Sequence, residues 1–284
     1  MSTFSSYDGA GLAYTEVGDG PPLICLPGGP GRASEYLEDL GGLSAGRTLV
    51  RLDLRATGRS EVPPDPASLR FDRMAGDVEA LRGHLGLDTA DVLAHSAGTI
   101  VAQAWASAHP ERVGRLVLVT PTAHLQGGRR EDLPAIRAAR AGEPWFAEAA
   151  EAAAALADAS PAQQQQLVRA TRPFFYGRWD ERTQAHAASA DRQSSKRAEL
   201  GFAGRPGEVD VAALLDGLRS LTAPVLVVGG GRDALTGVEA VHLVAACFAA
   251  AQVVVLPGAG HFPWVDEPEG FRSAVAPFLG TVSA

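Results

Sequence analysis

Lysine is all but missing from this chain: Lys196 is the single example, and every other basic residue is an arginine. The 25 basic residues are outnumbered by 33 acids, for a net charge of -8, and the arginines are scattered among those acids. Nucleic acid is gripped by positive charge clustered on one face, so no nucleic-acid partner is expected. Cysteine is nearly as scarce. Cys25 sits in an apolar run and Cys247 in an Ala-rich helical stretch, so both read as small buried hydrophobes rather than a disulfide or a redox pair. Neither a thiol nucleophile nor a metal site is suggested. No segment approaches the roughly 18–20 uninterrupted apolar residues that span a bilayer. Residues 1–20 also lack a basic start followed by an apolar stretch. No membrane partner is expected, and a cytoplasmic location follows by default.

What is present is a chain of 284 residues with 46% hydrophobic content, enough for one large α/β domain, or a domain with an insertion. Residues 12–17 and 22–26 read as two strands joined by a turn at Gly18-Asp19-Gly20. Pro27-Gly28-Gly29-Pro30-Gly31 follows directly, a cluster whose backbone can come close to a ligand. Residues 49–54 form the next strand, and Asp53 and Arg55 can tie down the loop behind it by an ion pair. Met74, Val78, Leu81 and Leu85 recur at spacings of four, three and four, which is one face of a helix against a sheet.

A strand at 92–94, a helix at 97–109 that Pro110 helps to stop, and a strand at 113–120 come next. Strands alternating with helices predict a parallel sheet with right-handed crossovers. From residue 121 to about 207 strand-like runs vanish, Ala, Gln, Arg and Glu dominate, and aromatics cluster. Sheet character returns at 223–229 and 252–256, and a last helix covers 267–279. The expected division is a core of residues 1–122 and 208–284, with a helical cap inserted at 123–207. Most aromatics of the insertion suit a small core of its own, and a few should line a pocket at the C-terminal edge of the sheet.

Three strand ends carry chemistry. Ser96 follows a short apolar run and precedes a helix, with small residues, Ala94 and Gly98, two places to either side. That is the pattern of a nucleophile elbow, whose tight turn leaves no room for larger neighbours. Asp233 lies just past residues 225–229, and His261 just past 253–256. Serine is a weak nucleophile at neutral pH and needs a base in hydrogen-bond reach. An imidazole can accept and return a proton near neutrality, and a carboxylate behind it fixes the tautomer. Acyl transfer also requires NH donors for the developing oxyanion. The NH of Ala97 is one, and Gly29 is the expected second, since Pro30 has no NH to give. His95 and His109 read as packing or helix-end residues. His84 and His242 sit on helices, and of His124 and His186 in the insertion only His124 is kept as a pocket residue.

With these residues in place the chain resembles the α/β-hydrolase superfamily over essentially its full length, in the order Ser, Asp, His, and within it the proline iminopeptidase-like branch. Three passages carry the closer likeness: Gly28-Gly29-Pro30-Gly31, the string from Asp53 to Ser60, and Gly260-His261-Phe262-Pro263-Trp264 running on to Glu267-Pro268. The resemblance implies an α/β-hydrolase fold, a mostly parallel sheet flanked by helices with a helical cap. It also implies a cofactor-independent serine hydrolase that removes an N-terminal residue, usually proline, from short peptides.

The departures bear on substrate. Pro27 replaces the family's histidine, and the elbow reads Ala-His-Ser-Ala-Gly where iminopeptidases have Gly-Gly-Ser-Trp-Gly. None of Glu143, Glu148, Glu151 and Glu181 sits in the family's amine-binding motif. The expected reaction is therefore cleavage of an ester or amide in a small, partly apolar molecule or short peptide. An esterase or lactonase without peptidase activity, or a lyase or cyclase on the same fold, stays open. Gly28, Pro30, His124, Trp145, Phe175 and Phe262 are the expected substrate-binding residues, and a monomer or small homo-oligomer is expected.

Overall fold

The computed structural model describes residues 2–128, 131–205 and 207–280. Its sheet contains β1 (Ser2–Ser5), β2 (Gly11–Val17), β3 (Pro22–Leu26), β4 (Thr48–Leu52), β5 (Ala90–His95), β6 (Val113–Val119), β7 (Val225–Gly230) and β8 (Ala251–Leu256). The spatial order is β1-β2-β4-β3-β5-β6-β7-β8. β2 runs antiparallel to both of its neighbours, and β4, β3, β5, β6, β7 and β8 run parallel.

The apolar runs of the central strands reflect burial on both faces, as a parallel sheet under helices requires. Side chains alternate between faces with period two. Ile24, Val50, Val92 and Leu116 therefore pack with α1 (Phe71–His84) and α2 (Gly98–Ala108), through Met74, Val78, Leu81 and Trp105. Leu23, Cys25, Leu49, Leu93 and Val117 face the other way and pack against Phe271 and Val275 of the last helix. Burial pushes the Cys25 thiol up to about 12, and both cysteines are free.

Helices α3 (Leu133–Ala138), α4 (Phe146–Ala155), α5 (Pro161–Thr171), α6 (Glu181–Gln193) and α7 (Lys196–Gly201) lie between β6 and β7 in the chain. They are followed by α8 (Val211–Arg219), which packs on α2. Helix α9 (Gly237–Ala245) connects β7 to β8, and α10 (Pro263–Asp266) and α11 (Pro268–Phe278) close the described chain. Among the described residues no helix is long and apolar enough to cross a membrane.

Two expectations are corrected. The strands at 12–17 and 22–26 exist but are not neighbours, because β4 lies between them and β2 pairs with the short, unforeseen β1. Arg55 does not pair with Asp53. Its guanidinium binds both carboxylate oxygens of Asp77, at 2.6 and 2.7 Å, and also Asp8 at 2.6 and 2.9 Å. Asp53 instead receives the NH and hydroxyl of Ser34 and the NH of Arg59.

The side chains of Arg55 and Asp77 are fully buried. Removing one partner of such a pair strands the other charge, which typically costs about 3–5 kcal/mol. Arg55→Ala should lose stability on that scale in a urea titration. A loss below about 1 kcal/mol would show that the pair is not needed.

Candidate active site

β5 ends at His95, and α2 starts at Gly98. The connection is so short that Ser96 takes a φ of 52°, the left-handed region that a residue with a Cβ adopts only under constraint. The constraint is visible. The Ser96 NH donates to the Val119 carbonyl at 2.9 Å, and the Ser96 carbonyl accepts from the Thr99 NH at 2.9 Å and the Thr99 hydroxyl at 2.5 Å. Glycine is required around this turn: a Cβ on Gly98 would collide with the carbonyl of Pro27, and one on Gly28 would lie 2.7 Å from the His95 carbonyl oxygen and 2.8 Å from the Ser96 Cβ.

The loops after β7 and β8 bring Asp233 and His261 to this corner. His261 Nε2 lies 2.9 Å from Ser96 Oγ, and His261 Nδ1 lies 2.8 Å from Asp233 Oδ2. All three residues are buried. Burial opposes the charged form of Asp233, but His261 beside it and donors from His261, the Thr236 hydroxyl and the Leu235 NH outweigh it and hold the carboxyl below its usual range. A carboxylate at Nδ1 fixes the proton there and leaves Nε2 as the acceptor facing the serine hydroxyl.

Behind His261 lies a second histidine. The His261 carbonyl accepts from Nε2 of His95 at 2.9 Å and from the Thr120 hydroxyl at 2.9 Å, while the His261 NH donates to the Phe175 carbonyl at 2.7 Å. His95 Nδ1 accepts in turn from the Tyr36 hydroxyl at 2.6 Å, whose oxygen accepts the Gly28 NH at 2.7 Å. Burial, and then His261, hold His95 well below the ordinary imidazole value, so it stays neutral. His95 was expected only to pack. It joins the loops of Gly28 and His261, and nothing in its neighbours along the chain signals that.

A cavity of about 270 Å³ opens over Ser96 and His261. Gly29, Pro30, Phe175 and Phe262 line it as expected. Gly28, His124 and Trp145 do not. The Gly28 NH is taken by Tyr36, and its Cα is wedged beneath the elbow. His124 lines a separate hollow with Phe71, Leu125, Val209 and Val211. Trp145 stands edge-on to Phe174, 5.2 Å between centroids, with the Arg140 guanidinium 4.8 Å from its ring, in a small core of the inserted helices. With Gly28 engaged, the NH groups of Gly29 and Ala97 remain, and neither donates to a described residue.

Sequence reasoning did not find Arg32, Tyr176, Val168 and Arg172, which also face the cavity. Arg32 carried one signal: it is the first charged residue after the glycine cluster.

A family model described as alpha/beta hydrolase fold matches residues 21–268. The chain belongs to the α/β-hydrolase fold family. A hydrolase from Pseudomonas aeruginosa PA01 is 30% identical over 99% of this chain and 98% of its own, with a TM-score of 0.66. An esterase from Exiguobacterium antarcticum, at 18% identity, shares the fold over 99% of both chains with a TM-score of 0.73. The proline iminopeptidase of Heyndrickxia coagulans is 33% identical over 108 residues, which is 38% of this chain and 38% of that protein. It agrees with the branch indicated by the sequence motifs. A (lyso)-N-acylphosphatidylethanolamine lipase of Mus musculus is 35% identical over 109 residues, 37% of this chain and 32% of that one. Matches to these curated relatives thus span less than two fifths of their length.

In this α/β-hydrolase one further carboxylate ties the site together. Asp266 Oδ2 accepts the NH groups of Gly260, beside His261, and of Gly177, from the inserted segment, each at 2.8 Å. Burial pushes the Asp266 carboxyl up to about 6. A carboxyl raised above its unfolded value near 4 favours folding when protonated, so its contribution is complete below about pH 4 and is lost as pH rises through 6. The amount is about 3 kcal/mol. Denaturant titrations from pH 4 to 8 should show Asp266→Asn gaining on the wild type by about that much as pH rises. Parallel stability curves would contradict it.

Proposed function

We propose that this chain is a serine hydrolase that cleaves an ester or lactone bond of a small substrate through an acyl-enzyme on Ser96. The observation that carries this reading is the continuous contact from Ser96 Oγ through the His261 ring to Asp233, 2.9 and 2.8 Å, on a strained elbow facing a cavity. In the proposed reaction Ser96 Oγ attacks the carbonyl carbon while His261 Nε2 takes its proton. Asp233 stabilises the imidazolium, and the Gly29 and Ala97 NH groups receive the oxyanion. His261 then protonates the leaving alkoxide. Water, deprotonated by the same imidazole, attacks the acyl-enzyme, and the proton returns to Ser96 as the acid leaves. Apart from water, every group used is a protein atom, so the scheme calls on no cofactor.

Residues 123–207 act in this reading as the cap, since Val168, Arg172 and Phe175 from that segment face the cavity that holds Ser96. The charges there favour an ester over the N-terminus of a peptide. An aminopeptidase must hold an ammonium group, but Glu199 is the cavity's one lining carboxylate among the described residues. It is half exposed and already engages Lys196. None of Glu143, Glu148, Glu151 and Glu181 lines the cavity, and Glu143 pairs with Arg140.

A fluorophosphonate should label Ser96 in the wild type and leave Ser96→Ala unlabelled, with hydrolysis of short-chain esters lost in parallel. Label or turnover retained in Ser96→Ala would refute the assignment.

A further inference from the structure

The cavity contains a cation that the reaction does not use. Arg32 is 7% exposed, and its guanidinium carbon lies 4.2 Å from the Tyr36 ring centroid and 5.7 Å from that of Phe262, the residue after His261. Its backbone NH closes the turn that presents Gly29, donating to the Gly28 carbonyl at 3.2 Å. Nε donates to the Gln193 side-chain oxygen at 3.0 Å, and Nη2 donates to the Ser189 hydroxyl at 2.9 Å and the His186 carbonyl at 3.2 Å. All of these partners are neutral. No carboxylate among the described residues lies within ion-pair distance of Arg32, and Nη1 makes no hydrogen bond to any of them.

Glu35 meets Arg32 only through the Gln193 side chain, whose amide donates to it at 3.1 Å, and the other acids nearby are committed elsewhere. Asp191 holds Arg172 at 2.6 Å, Glu38 holds Arg182, and Glu199 holds Lys196 at 3.0 Å. Burial draws the Arg32 pKa down, yet a guanidinium stays charged in proteins. A positive charge held out of water without a counter-ion is costly, and the cost is offset when an anion arrives. A purely structural arginine pinning α6 to the glycine loop accounts for Nε and Nη2. It does not account for the unused Nη1 or the missing counter-ion.

We propose that Arg32 binds a carboxylate on the substrate, so that the small ester or lactone cleaved here carries an acid group as well as the scissile bond. This inference rests on the hydrolase reading for its substrate class and adds the anion to it. Arg32 is a specificity-determining residue: guanidinium and carboxylate meet through charge-assisted hydrogen bonds, which neutral analogues cannot form. The aromatic faces of Tyr36 and Phe262 hold the guanidinium in place beside the oxyanion turn.

Calorimetry on the full-length Ser96→Ala protein tests this with two probes, monomethyl glutarate and dimethyl glutarate, which differ by one charge. The half-ester should bind at least about tenfold more tightly, the scale of one charge-assisted pair. That preference should vanish in Ser96→Ala/Arg32→Gln and persist in Ser96→Ala/Arg172→Gln. Equal binding of the two probes to protein with Arg32 intact overturns the proposal, and needs no Arg32 variant to fold. A preference that survives Arg32→Gln, in protein whose melting temperature shows it folded, overturns it too. Fluorophosphonate labelling separates this from the parent reading. A protein that prefers the half-ester but takes no label on Ser96 supports the anion site and fails as a serine hydrolase. Labelled protein without the preference keeps the chemistry and loses the anion site.

Discussion

Replacing His261 with alanine is expected to lower kcat for ester hydrolysis by on the order of 10^6-fold, the loss seen when a triad base is removed from a serine hydrolase. The reason lies in the geometry at Ser96. His261 Nε2 is 2.9 Å from Ser96 Oγ, and no other side-chain base is bonded to that oxygen among the described residues. Without it the hydroxyl must attack unassisted and the leaving group must depart unprotonated. The fold should survive the change. The His261 backbone keeps its bonds to Phe175, His95 and Thr120, and Asp233 keeps its donors from Leu235 and Thr236. The stability cost should be about 1–3 kcal/mol for the one lost partner. Steady-state kinetics beside a denaturant titration measure both, and a loss in kcat below about a hundredfold would mean that another base serves Ser96.

Asp233→Asn should cost on the order of 10^4 in kcat with little change in structure. The amide would not be free to choose its orientation. Asp233 Oδ1 accepts the backbone NH groups of Leu235 at 2.9 Å and Thr236 at 3.1 Å, so the amide oxygen must occupy that position. The NH2 then falls where Oδ2 now meets His261 Nδ1. It would donate to Nδ1, drive the ring proton to Nε2, and leave Ser96 facing a donor rather than a base. Nitrogen NMR of the labelled imidazole reports that tautomer directly. A variant that keeps the proton on Nδ1, or loses less than about tenfold in kcat, would contradict the arrangement.

What the sequence made legible and what it hid follow different physics. Ser96, Asp233 and His261 could be read because each stands in the short loop that follows an apolar strand, and parallel strands deliver their ends to one edge. The Gly28–Gly29 loop could be read because backbone packed this closely tolerates no Cβ, and a Cβ on Gly28 would meet the His95 carbonyl and the Ser96 Cβ. Contacts set by side chains across the fold left no such mark. Arg55 finds Asp8, 47 residues away, and Asp77, 22 residues away, rather than Asp53 nearby. The strand order escaped for the same reason: β4 wedges between two strands that are adjacent in the chain.

The pocket was the least legible part, because which face of the inserted segment turns toward Ser96 is decided by packing between helices. Phe175 and Trp145 both pack on the local core around Phe174, yet only Phe175 also reaches the cavity. His124 and His95 show the same limit from opposite sides. The histidine singled out for the pocket lines a different hollow, and the one set aside supports the loop of His261.

The chemistry proposed for this site turns on acylation of Ser96. Mixing the protein with 4-nitrophenyl acetate, quenching in acid within the first turnover and weighing the intact chain tests it most directly. The expected result is a burst of nitrophenol equal to the protein present, and a chain heavier by one acetyl group that maps to Ser96. Steady nitrophenol release with no burst and no adduct, or an adduct on any other residue, would contradict it.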